Sequence, residues 1–208
     1  MIRAAIVGLG TWGQHLVGCT QGKSDAIRFV AGMNRTPGKA AEFAQRHGFP
    51  ILDSYETILA DPAIDAVVLT TPHSTHTQQI AAAARAGKHV FTDKPFALTK
   101  RSAEEAVRAC AERKVTLAVG FNWRFQPALQ EIRRMLEDGR LGRLLHIEGN
   151  FCGPSVYRFG RGHWRQDRDE CPAGGMTGRG VHVVDAIVYL AGRIGSVNAQ
   201  SLRLVQDF

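Results

Sequence analysis

Cysteine is scarce in this chain: four residues in 208, Cys19, Cys110, Cys152 and Cys171, with no C-x-x-C spacing among them. That scarcity argues against a disulfide framework or a zinc site and leads to the expectation of reduced thiols in a cytoplasmic protein. Long apolar runs are also missing. No stretch approaches the roughly 18 residues of a membrane span, so a soluble protein without a membrane partner is expected. The apolar start, Ala4 to Leu9, is short and runs into glycines instead of a cleavage site, which argues against a secretory signal. Lysine is absent between Phe121 and Arg168, where nine arginines face five acidic residues. Arginine without lysine suits recognition of planar or phosphorylated small ligands, or ion pairing at an interface. No helix-turn-helix, zinc finger or stacked-aromatic motif accompanies the net charge of +7, so nucleic acid is not expected as a partner.

The chain is organised around Ala4-Ala5-Ile6-Val7-Gly8-Leu9-Gly10-Thr11-Trp12-Gly13, an apolar run that empties into a G-x-G-x-x-G turn. A buried parallel strand from Arg3 to Val7 would deliver the chain to a bend at Gly8. Gly10, lacking a Cβ, would let backbone amides approach a diphosphate, and Gly13 would let the following helix pack against the strand. The helix beginning at Thr11 would then turn its partially positive end, with Thr11 and Trp12, toward the phosphates. This is the fingerprint of a dinucleotide-binding Rossmann unit.

The second strand, Ile27 to Met33, decides the type of dinucleotide at its tip, Asn34-Arg35-Thr36. An NAD site usually carries a carboxylate there for the ribose 2′-hydroxyl; an NADP site replaces it and offers an arginine to the 2′-phosphate. Neutral Asn34 and cationic Arg35 favour NADP(H), with NAD(H) possible; the alternative is that Arg35 simply faces water. Thr36 and Pro37 suit the start of a helix. A short strand near Ile51, Asp53-Ser54 as N-caps, a helix Tyr55 to Ala60 and a central strand Ala66 to Thr70 follow. The last of these runs into Thr71-Pro72 and His76, which would face the same crevice as the glycines, although a histidine opening a helix also serves as a cap or a surface residue. A helix from Thr77 to Ala86, a strand His89 to Thr92 ending in Asp93-Lys94-Pro95, a capping box at Ser102 to Glu105 opening a helix to Lys114, and a strand Val115 to Gly120 complete six strands alternating with helices. That order describes an α/β fold with a doubly wound parallel sheet.

Beyond Phe121 the rhythm changes, and a boundary is expected near Asn122, giving domains 1–122 and 123–208. The second is read as a partial α+β domain with an open sheet: an amphipathic helix Pro127 to Asp138, a strand Leu144 to Phe151, a long arginine-rich loop to Pro172, a helix around Val181 to Leu190 and a last strand Ser196 to Leu204. Oxidation or reduction of a hydroxyl needs a group that moves its proton and a donor that stabilises its oxygen. Lys94, at a strand tip, and His182, of the side-chain type best suited to proton transfer near neutral pH, are the candidate catalytic residues. A surface lysine and a packing histidine are the alternatives.

Gly8 to Gly13, Thr71-Pro72 with His76, Asp93-Lys94-Pro95, Gly120-Phe121-Asn122-Trp123-Arg124-Phe125 and the Gly174 to Asp185 segment together resemble the Gfo/Idh/MocA oxidoreductases. The resemblance implies NAD(P)-dependent oxidation or reduction of a sugar, polyol or related hydroxy compound, and self-association through the second sheet. It implies that Asp93, Lys94 and Arg124 lie by the cofactor, and that Lys94, Arg124, Trp164, Arg165 and His182 serve the substrate. Two departures stand out. The family's aspartate four residues before the histidine falls on Gly178, so the proton relay is incomplete as written; Asp185, one helical turn past His182, could orient it, the alternative being that it simply stabilises the helix. The chain also holds only about two strands of the second sheet, where the family's members are usually longer. A non-catalytic nucleotide-binding protein is therefore the competing expectation.

Overall fold

The computed structural model describes the chain apart from residues 37, 155–158, 160–161 and 203–208, and the side chain of residue 39. It divides into two compact units, Met1–Gly120 and Phe121–Phe208. Pro37 and the end of the expected last strand lie outside the described residues.

In the first unit, five strands form one parallel sheet in the order β2-β1-β3-β4-β5: β1 Ile2–Val7, β2 Ile27–Met33, β3 Ala66–Leu69, β4 His89–Thr92 and β5 Leu117–Val119. Helices α1 Thr11–Thr20 and α2 Gly38–Arg46 cover one face; α3 Tyr55–Ala60, α4 His76–Arg85 and α5 Lys100–Glu112 cover the other. Burial on both faces explains why β3 and the Ala4–Val7 part of β1 are apolar throughout. Ala4, Ile6, Ala66 and Val68 join Val17, Ala40 and Ala44 on the first face, while Ala5, Val7, Val67 and Leu69 join Ile58, Ile80, Ala83 and Ala106 on the second.

The sixth expected strand, near Ile51, is an isolated bridge to Gly32, because Gly48, at φ +72°, and Pro50 leave too short a segment to extend the ladder. Helix α5 begins earlier than the capping box read at Ser102. Its N-cap is Thr99, whose hydroxyl accepts from the Ser102 amide at 3.1 Å, and Ser102 is the N3 residue that closes the box. Glu105 pairs instead with Arg101 along the helix at 3.0 Å.

Between α4 and β4, Lys88 is only 7% exposed, and its ammonium donates to the carbonyls of Asp61, at 2.6 Å, and Ile64, at 2.8 Å. It ties the turn after α3 to the amino edge of the sheet. Lys88→Met leaves both carbonyls without their donor and is expected to cost about 1–3 kcal/mol, read as a fall in Tm of several degrees. An unchanged Tm would show that water replaces the ammonium without loss.

The second unit contains α6 Pro127–Glu137 and α7 Val181–Ala191, the latter entered through a π-turn at Met176–Gly180 that periodicity does not announce. The strands expected at Leu144 to Phe151 and from Ser196 onward do not form among the described residues. Both segments have β-forming composition, but a strand exists only as part of a ladder, and neither finds a hydrogen-bonding neighbour there. Leu145, Val197 and Leu202 are consequently exposed.

Candidate functional site

The glycine turn follows from close packing. Gly8 has φ +97°, and a Cβ there would lie 2.7 Å from the Thr70 carbonyl oxygen. A Cβ on Gly13 would overlap the Gly8 carbonyl oxygen and lie 2.8 Å from Thr70 Oγ1, so α1 packs against the turn backbone to backbone. Thr70 Oγ1 donates to that same Gly8 oxygen. Gly10 differs: a Cβ there would meet no protein atom within 4 Å. Of the three glycines of the turn, Gly10 is the one whose Cβ position is open, and it faces out at the amino end of α1 with exposed Thr11 and Trp12 beside it. The residues present therefore fit a dinucleotide diphosphate, held by amides and the helix dipole.

Asn34 is a support within this turn. Its Oδ1 accepts from the Leu9 amide at 3.2 Å and its Nδ2 donates to the Thr36 carbonyl at 2.9 Å. Arg35, beside it at the carboxyl end of β2, is exposed.

At the tip of β3, Thr71 Oγ1 donates to Gln79 at 2.6 Å, and Pro72 leads into a short 3-10 turn, His73–Thr75. His76 is fully buried, with Nδ1 3.0 Å from the Pro95 carbonyl and Nε2 3.0 Å from the Thr71 carbonyl. Both ring nitrogens face backbone, and His76 staples the tips of β3 and β4 together. Sequence could not reveal this, because the Pro95 partner is 19 residues away.

The tip of β4 carries Asp93-Lys94-Pro95 with a cis Lys94–Pro95 peptide. Burial raises the Asp93 carboxyl above the ordinary range, opposed by the charge and amide of Lys94, by His76 and by a hydrogen bond from Trp12. Asp93 Oδ1 is buried and hydrogen-bonds to none of the described residues.

In the second unit, His182 opens α7 and is 8% exposed. Trp123 stacks on its ring, with centroids 5.2 Å apart and planes 16° apart, and Phe151 approaches edge-on at 6.3 Å. Asp185 does not serve His182. It is 6% exposed and accepts from Arg124 Nε at 2.9 Å and from Arg124 Nη2 at 2.5 Å. Asp185 thus takes a charge partner instead of orienting the histidine, and Arg124 is held by it, with its guanidinium 5.5 Å from the centre of the Tyr189 ring. The carboxylate holds the Arg124 pKa above its ordinary value. A Cβ on Gly178 would meet nothing within 4 Å, so space for the missing carboxylate exists without the side chain. Trp164 and Arg165 stack on each other, the guanidinium 4.1 Å above the indole, with His163 and Phe159 continuing the row. Trp123 is the residue that sequence reasoning passed over, although it sits inside a motif already singled out beside Arg124.

A five-stranded parallel sheet with a glycine turn at the tip of β1 defines a dinucleotide-binding fold of the Rossmann class. The family model described as "Oxidoreductase family, NAD-binding Rossmann fold" matches residues 2–121, and the "GFO/IDH/MocA C-terminal domain" model matches 129–207. The chain belongs to the Gfo/Idh/MocA oxidoreductase family. It is 33% identical over 165 residues to levoglucosan dehydrogenase of Pseudarthrobacter phenanthrenivorans, covering 78% of this chain and 42% of that one. A crystal structure from Desulfitobacterium hafniense superposes with a TM-score of 0.85 at 27% identity, covering 92% of this chain and 55% of that one. The scyllo-inositol dehydrogenase of Lactobacillus casei with bound NAD(H) and scyllo-inositol superposes with a TM-score of 0.65 at 26% identity, over 68% and 42% of the two chains. The chain spans about half the length of the curated relatives it matches. Among the described residues, no helix is long and apolar enough to cross a membrane.

Proposed function

We propose that this chain serves an NAD(P)-dependent oxidoreductase, with NADP(H) preferred, that acts on a hydroxyl of a sugar, polyol or related compound. The observation that carries this reading is the unfilled face of Gly10 at the amino end of α1, in the same sheet whose β4 tip bears Lys94. A nicotinamide bound there supplies the acceptor or donor of a hydride. The chain's own residues do the rest. Amides of the glycine turn hold the diphosphate, Lys94 Nζ donates to the substrate oxygen as its charge changes, and His182 takes or returns the hydroxyl proton. Trp164 and Arg165 contribute to substrate recognition. The relatives named for levoglucosan and scyllo-inositol support a polyhydroxylated substrate. A cytoplasmic location is supported by four cysteines that are all free thiols. Exposed Leu145, Val197 and Leu202 support self-association through the second unit.

Turnover of NADPH or NADP⁺ against a panel of sugars and polyols tests the assignment. A competing reading, nucleotide binding without catalysis, is favoured by Gly178, and binding without turnover across the panel would establish it. The coenzyme preference has its own test at Arg35. Arg35→Asp is expected to shift the NADPH/NADH preference by about 10- to 100-fold toward NADH, since it removes the phosphate's partner and restores a ribose acceptor. Unchanged preference would remove Arg35 from the site.

A further inference from the structure

We propose that Trp123 is the positioning residue of the proton-transfer histidine: its indole face, fixed by the Arg124–Asp185 pair, holds the His182 ring in one orientation. The inference rests on the reading of His182 given above. Three observations within the second unit lead to it. The Trp123 and His182 rings are nearly parallel, 16° apart at 5.2 Å, so the indole restricts rotation of the imidazole about its own bonds. Phe151 closes a second side, edge-on to His182 and 5.1 Å from Trp123. Trp123 is itself held in place because its chain neighbour Arg124 grips Asp185 through two nitrogens, and Asp185 lies three residues past His182 on the same helix. The 3-10 turn Asn122–Phe125 and the start of α7 are thus joined at two adjacent points, one aromatic and one ionic.

The test uses the whole chain. In the wild type, ring protons of His182, assigned by their loss in His182→Gln, are expected upfield of free imidazole because they lie over the indole. In Trp123→Leu they return toward the free-imidazole position, kcat falls about tenfold or more, and NADPH affinity stays within twofold, since the change displaces a catalytic group without touching the cofactor turn. Trp123→Phe, which keeps a ring to stack upon, recovers most of kcat; a residue needed only for bulk would be served equally by leucine. Asp185→Asn, which releases Arg124, lowers kcat in the same direction and broadens the His182 signals. Unmoved His182 resonances in Trp123→Leu, or equal kcat for the leucine and phenylalanine variants, would overturn the proposal. Wild-type turnover by His182→Gln would overturn the underlying assignment instead, and the ring shifts would still report whether the stack exists.

Discussion

Lys94→Met is expected to lower turnover by about 10³-fold, on the order of 4 kcal/mol of transition-state stabilisation, while NADPH affinity stays within a few-fold. Methionine matches the lysine stem in length and removes only the ammonium, so a large kcat effect isolates the charged donor from its stem. Lys94 stands at the β4 tip next to Asp93, whose amide donates to the Leu69 carbonyl at 2.8 Å and holds the tip in the sheet ladder. The backbone there is set by β4 and by the His76 bond to Pro95, neither of which involves the Lys94 side chain. A folded variant with near-native turnover would remove Lys94 from the mechanism. Steady-state kinetics together with calorimetric binding of NADPH decide between the outcomes.

The second large effect comes from a contrast between two glycines of one turn. Gly10→Ala is expected to reduce dinucleotide affinity on the order of 100-fold, about 2.7 kcal/mol, with Tm almost unchanged. The new methyl meets no protein atom within 4 Å, and the backbone at φ −72° and ψ −173° accepts alanine, so the only body it can obstruct is the ligand. Gly13→Ala is expected to lower both affinity and stability, the latter by about 1–3 kcal/mol, because its methyl overlaps the Gly8 carbonyl oxygen and forces α1 away from β1. Measuring Tm and the NADPH dissociation constant for the pair distinguishes a ligand cradle from a merely tight turn. If Gly10→Ala binds NADPH like the wild type, the diphosphate does not lie against that turn.

These contrasts also bear on why one departure from the family matters. Gly178 lies in the π-turn that feeds α7 and has room for a side chain. Lack of space therefore does not explain the missing carboxylate. The ring stack between Trp123 and His182 is the contact in the second unit that bears most directly on how the histidine is held without it.

Local pattern was enough for much of this protein. The glycine spacing, the apolar runs Ala4 to Val7 and Ala66 to Leu69 and the alternation of strands with helices name the fold, because hydrophobic period and turn chemistry are written in neighbouring residues. The same locality misled at Leu144 to Phe151, where strand-forming residues find no ladder. Lys94 and His182 could be picked out from position and chemistry, but their surroundings could not. His76 bonded to Pro95, Lys88 to Asp61, and Arg124 to Asp185 across 61 residues are pairings between distant segments, decided only when the chain closes on itself. Sequence by itself thus determined which elements form and which residues carry chemistry. Tertiary structure decided what each polar group faces, since a buried donor or acceptor must find its partner wherever packing brings one, and that is a property of the whole fold.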